Sequence, residues 1–254
     1  MIRIGANIYG AAALLLGAIV ALTGDFVTTW QPVPEDAPGH SILVFIGAAL
    51  LIGGGLAVQW PRTRRAGGAV LALVFLVFAL LWARRILGFP QILGTWLGTA
   101  EELAVTIGGC ALFLPSLLRQ EAQPAARLIL RIAFGLCALL FGAAHFVYVK
   151  ETAALVPGWL PPNATFWAYA TGAGHVAAGA ALVSGLLALL AARLLTLMFL
   201  VFQALVWLPQ LFQHPDAPMA WGGNGVNLAL VGAAWLIAEL VEAQARTRPA
   251  PETE

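Results

Sequence analysis

The chain has 254 residues, 61% of them hydrophobic and 10% charged, with a formal net charge of +1. A mean hydropathy of +0.88 lies outside the range of soluble globular domains, and the few basic residues form no stripe that would hold nucleic acid. The composition is that of a multi-pass membrane protein whose first partner is the lipid bilayer.

A helix needs about 20 apolar residues to cross a hydrocarbon core of about 30 Å. Eight stretches meet or approach that length: residues 5–24, 41–60, 67–83, 98–118, 128–149, 165–187, 192–211 and 225–242. The first has only Arg3 ahead of it and no small-residue cleavage site behind it, so it reads as a retained helix. Breakers separate the stretches: Pro32, Pro34 and Pro38 with Gly39, then Pro61, Pro90, Pro124, the cluster from Pro157 to Pro162, and Pro215 with Pro218. The expected fold is all-α, a polytopic membrane bundle of eight transmembrane helices. The polar end of the chain, residues 243–254, is expected to be a disordered tail.

Positive charge sets the expected orientation. With the N-terminus inside, Arg3, Arg62, Arg64, Arg65, Arg119, Arg127, Arg131, Arg193, Arg246 and Arg248 fall on the inner face, and Arg84, Arg85 and Lys150 on the outer one. Both termini are then cytoplasmic. The dominance of Arg over Lys, with abundant Ala, Gly and Leu, suggests a bacterial chain, hence a bacterial inner membrane.

An internal repeat is also visible. Phe75-Leu76-Val77-Phe78 followed by Trp82 matches Phe199-Leu200-Val201-Phe202 followed by Trp207, an offset of about 125. Residues 1–120 and 128–242 are therefore expected to form two parallel four-helix repeats joined by a cytoplasmic linker at 121–127. The first is degenerate, since Leu50 stands where His175 does.

Candidate functional residues gather toward the outer end. All four histidines and seven of nine tryptophans fall there. An interfacial aromatic belt explains many such tryptophans, and a pocket opening outward is the alternative. His145 lies near the outer end of the fifth stretch, and His175 about 15 Å along the sixth. Either could simply bond a neighbouring backbone; whether they share one pocket is open. Glu101 and Glu102 are expected at the start of the fourth helix, where its dipole favours carboxylates, with Arg84 and Arg85 as partners. Glu102 is taken as the inward one, because it stands opposite Asn227 in the repeat. Pro209 should kink or end the seventh helix, leaving Trp207, Gln210 and Asn227 around a polar vestibule. Trp159, Trp167 and Tyr169 complete the candidate ligand-binding set. Cys110 and Cys137 sit mid-segment and read as packing residues, with a redox pair as the alternative.

No CxxC, HExxH, Walker A loop, GxGxxG or GxSxG motif is present. His145, His175 and Glu102 could hold a b-type haem, but no spacing signature marks a metal site.

The pattern His145-Phe146, then Val156-Pro157-x-Trp159-Leu160-Pro161, then an aromatic and a Gly-rich apolar helix, resembles the DoxX family of small four-helix bacterial membrane proteins. The resemblance covers roughly Leu128 to Glu242. It departs from the family where Thr171-Gly172-Ala173-Gly174 is followed by His175, since relatives often carry Glu there. Some relatives are membrane subunits of thiosulfate:quinone oxidoreduction or of thiol redox complexes. The resemblance thus implies a redox-associated membrane subunit whose outer half binds a quinone or similar small hydrophobic molecule and which works with a redox partner protein. A membrane anchor for a partner and a small-molecule transporter are the alternatives. Transport fits less well, because the inner half is nearly free of ionisable groups. Catalysis by the chain itself is left open.

Overall fold

A computed structural model describes residues 4–246, and among these there is no strand. The helices are α1 (Ile4–Thr23), α2 (His40–Gln59), α3 (Arg64–Gly88), α4 (Leu93–Leu117), α5 (Gln123–Val147), the short α6 (Val149–Ala154), α7 (Ala164–Ser184), α8 (Ala188–Phe202), the short α9 (Leu208–Gln213) and α10 (Pro218–Arg246). A π-helical stretch, Gln203–Trp207, joins α8 to α9. Seven spans among the described residues are long and apolar enough to cross a membrane: α1 to α4, residues 120–147, residues 188–213, and α10. The eighth long helix, α7, has 21 residues but is less apolar, because it holds Trp167, Tyr169, Thr171, His175 and three glycines. The expected eight stretches therefore correspond to eight long helices in a polytopic bundle.

Several boundaries move outward from the expected ones. Most of the expected linker lies in α5, which starts at Gln123, and α10 carries residues 243–246 of the expected tail as helix. Residues 247–254 lie outside the described residues, as do Arg3 and Arg248. α4 starts at Leu93, so Glu101 and Glu102 sit two turns inside it and cannot act as first-turn acids. Arg84 and Arg85 are exposed and pair with neither; the Arg85 guanidinium lies over the Trp82 ring, 4.1 Å from its centroid.

Helices adjacent in sequence pack side by side, and the ring closes where α10 meets α1. α10 also lies against α4, α8 and α5, and it is the most buried of the spans. Glycine permits this crowding. A β-carbon at Gly232 would come within 2.6 Å of the Tyr9 backbone nitrogen, and one at Gly225 within 2.6 Å of Leu16. Lipid offers no hydrophobic drive between helices, so close van der Waals approach replaces it. The same close crossing occurs twice. Gly55 on α2 meets Gly10 O and Leu14 of α1, and Gly179 on α7 meets Gly135 O and Leu139 of α5; in both pairs an added β-carbon would lie 2.7 Å from the facing carbonyl. Tyr9, fully buried, donates its hydroxyl to Val105 O at 2.9 Å and ties α1 to α4.

One end of the bundle carries a recurring fastening. Four long helices start there, and each has near its start a ring nitrogen that donates to the carbonyl of a proline six residues earlier. The pairs are His40 Nδ1 to Pro34 O (2.8 Å), Trp96 Nε1 to Pro90 O (3.0 Å), Trp167 Nε1 to Pro161 O (2.8 Å) and Trp221 Nε1 to Pro215 O (2.8 Å). A proline cannot continue a helix and its carbonyl needs a donor, so each loop is folded back onto the helix that follows. Three of the tryptophans crowded at this end are explained by this role.

Two outcomes are expected from unfolding in mild detergent. Gly179→Ala should destabilise by about 1–3 kcal/mol, because a backbone carbonyl cannot give way, whereas Gly53→Ala should be neutral or stabilising by up to about 1 kcal/mol, since nothing lies within 4 Å of the added carbon. Trp96→Phe or Trp221→Phe should each lower stability by about 0.5–1.5 kcal/mol, the net worth of one hydrogen bond.

Candidate functional site

The site begins at Pro209. Lacking an N–H, it leaves the Leu205 carbonyl without its usual donor four residues on. The helix does not end there, as expected from sequence; it widens, and Leu208 N–H donates to Gln203 O, five residues back. Two asparagines on α10 hold this wide turn in place. Asn224 donates to Trp207 O and to Ala220 O (2.9 Å) and accepts from Gln203 Nε2 (2.7 Å); Asn227 donates to Gln203 Oε1 (2.8 Å) and to Phe199 O (3.0 Å). The Trp207 ring lies flat on Gly223, where a β-carbon would overlap it. Trp30, from the loop between α1 and α2, meets Trp207 edge-on with ring centroids 5.7 Å apart.

The widened turn bounds a cavity of about 740 Å³ enclosed by α5, α6, α7, α8 and α10, with Trp30, Leu97 and Glu101 completing the wall. Most of the wall is apolar, including Phe141, Phe199, Phe202 and Met198. Tyr148 anchors the α5–α6 corner, its hydroxyl accepting the Gly94 N–H at 2.8 Å, and Asn163 caps α7 by accepting from Phe166 N at 2.8 Å.

Both candidate histidines open into this cavity. Their ring centroids are 4.9 Å apart, which the tight crossing of α5 on α7 brings about: a β-carbon at Gly172 would lie 2.8 Å from His145 Cβ. His175 is fully buried among Phe141, Phe199 and Phe202, with ring centroids 5.8, 5.7 and 6.0 Å away. Its Nδ1 lies 3.0 Å from the Thr171 carbonyl. The Nδ1 of His145 lies 2.9 Å from Thr171 Oγ1 and 3.3 Å from the Ala168 carbonyl. A carbonyl only accepts, so His175 Nδ1 bears the proton that it donates, and the Ala168 carbonyl favours the same tautomer for His145. The Thr171 hydroxyl, which donates to Trp167 O at 2.7 Å, accepts from His145. In an uncharged ring the other nitrogen then presents a lone pair, and neither Nε2 has a partner among the described residues. The site therefore offers two adjacent hydrogen-bond acceptors in an apolar hollow.

Of the residues named from sequence, His145, His175, Trp167, Trp207 and Asn227 line the cavity. The rest do not. Trp159 is 71% exposed, Tyr169 packs outward on Phe146, and Gln210 lies beyond the wide turn. Glu102 is buried as an inward group should be, yet it faces away from the cavity, and neither carboxylate oxygen has a partner among the described residues. Its neighbour Glu101 lines the wall together with Trp30. Sequence reasoning missed Trp30, Thr171 and Gln203. A polar Gln203 inside an apolar run, four residues before a Trp-Leu-Pro break, was the available signal for the last.

Residues 126–208 match the DoxX family model, a stretch that runs from α5 to the first residue of α9. It contains His145, Thr171, His175 and the wide turn, whereas α10, Trp30 and Glu101 lie outside it. No curated protein and no solved structure matches the chain. Residues 126–208 are thus a DoxX-like stretch set within a longer bundle of apolar helices.

Proposed function

We propose that this protein is a redox-associated membrane subunit that binds a quinol-type ligand in the cavity and presents it to a redox partner protein. The observation that carries the reading is the pair of Nε2 acceptors 4.9 Å apart, ring to ring, in one apolar cavity. The cavity volume of about 740 Å³ falls among those of small-molecule sites, typically about 300–1,000 Å³. A hydroquinone hydroxyl donates to an imidazole lone pair, whereas an oxidised quinone carbonyl finds no donor at these two atoms. Phe141, Phe199, Phe202 and Trp207 supply flat apolar surface for a ring. A haem iron bound between the two imidazoles fits less well, because ring centroids 4.9 Å apart leave no room for a macrocycle with a bond on either side.

The reading extends to topology. We take the chain as two parallel four-helix units in a bacterial inner membrane, both termini cytoplasmic and the cavity toward the outer face. The repeated glycine crossing and the four proline fastenings support the duplication. The excess of arginine at the opposite end supports the orientation.

Two measurements test the ligand. After purification in mild detergent, lipid extraction should recover quinone or quinol from the wild type and little from the His145→Ala, His175→Ala double variant; equal recovery from both would remove the histidines from the site. Titration with a soluble benzoquinone and its reduced form should show the reduced form bound about tenfold more tightly, as two modest hydrogen bonds would give. Equal affinities would mean that the imidazoles do not act as acceptors.

A further inference from the structure

The cavity is partly open, and the exposed residues among its lining show on which side. On α8, Leu194, Leu197 and Val201 line the cavity and are also 54%, 55% and 43% exposed on the outer surface of the span. Their spacing of i, i+3 and i+7 makes one continuous stripe along the helix. Side chains that face both the cavity and the surroundings mark a place where one residue separates the two. Across from them α7 is thin. Ala170 lines the cavity, and a β-carbon at Gly174 would meet nothing nearer than Met198 Sδ, at 3.5 Å. α7 packs far less extensively on α8 than on α5, and the contact that does close the gap is a thioether, the most adaptable apolar side chain.

The polarity of the wall is graded in the same direction. Glu101, His145 and Thr171 lie toward the α6 end, whereas from Phe202 down to Leu194, about 12 Å along α8, the helix offers only apolar side chains to the cavity. A wholly polar ligand has no use for such a slot, and neither does one that arrives from water.

We propose that the cavity opens sideways to the bilayer between α7 and α8, and that its ligand is an amphipathic lipid: a ring at the histidines and a hydrocarbon tail lying along Leu194, Leu197 and Val201. This rests on the quinol reading of the histidine pair and adds to it the tail and the route. Met198 is the flexible closure of the slot, and Gly174 is the position that keeps the slot open.

The test uses the full chain in lipid nanodiscs and two probes, tetramethyl-hydroquinone without a tail and a decyl-tailed hydroquinone. Val201→Trp should weaken binding of the tailed probe by about tenfold, as an overpacked contact does, and change the tailless probe by less than about twofold. If the variant leaves both unchanged, the slot is not used, while the histidine site stands. If neither probe binds the wild type, the ligand reading fails and the slot with it. Should the variant weaken both alike, a wild-type measurement decides: a photoreactive diazirine on the first carbons of the tail is expected to label residues 194–202 or 170–174. Label confined to residues 151–160 would place the tail at the α6 end and overturn the proposal.

Discussion

Inside a bilayer, a backbone carbonyl that loses its donor has no water to turn to, and Pro209 imposes that loss on α8. The structure answers with a wider turn and a ladder of side-chain amides, Gln203 between Asn224 and Asn227, each satisfied by a neighbour. A half-satisfied ladder in hydrocarbon would be worse than none. The ladder fixes where α8 stands relative to α10, and the cavity is the space that results. The opposite wall is set by packing alone, because the glycines of α5 and α7 draw the two histidines together.

The first half of the chain shows what happens without the proline. There Trp82 lies on Gly98, as Trp207 lies on Gly223. Arg84 stands 125 residues before Pro209, and Ala79, the residue after the shared Phe78, stands where Gln203 follows Phe202, so neither the lost donor nor the amide ladder exists in this half. α3 accordingly remains a regular helix and packs on α4 more extensively than α8 does on α10. The pair α3 and α4 thus packs closely, whereas α8 and α10 are bridged by a polar device beside the cavity.

Much of this was legible in the sequence, and what was not is of one physical kind. Apolar runs and breakers gave eight helices, since burial of backbone groups in lipid leaves little else. The histidines, Trp167, Trp207 and Asn227 could be named because polar and aromatic groups in an apolar run stand out. Glu102 is the more buried of the two acids, as its place opposite Asn227 suggested, but which acid lines the cavity depends on helix phase. A boundary misplaced by five residues turned two interior acids into a supposed helix start. Trp159 and Tyr169 were chosen for their rings, but the cis-proline loop and the outer face of α7 carry them away from the cavity. The fastening of a proline carbonyl to a ring six residues later was present four times over, but it is recognisable only when the loop is seen to fold back.

The polarity of the site follows from a detail that no spacing reveals. Thr171 stands one turn before His175 and faces His145 across the helix crossing, so its carbonyl takes the proton of one ring and its hydroxyl takes that of the other. Thr171, with the Ala168 carbonyl beside His145, therefore holds both Nδ1 protons on α7. Had either ring found a donor instead, the pair would present one donor and one acceptor. The shortest of the hydroxyl's contacts, 2.7 Å to the Trp167 carbonyl, takes its proton and leaves a lone pair toward His145. Both Nδ1 protons are thus taken up by oxygens of α7, ahead of any ligand.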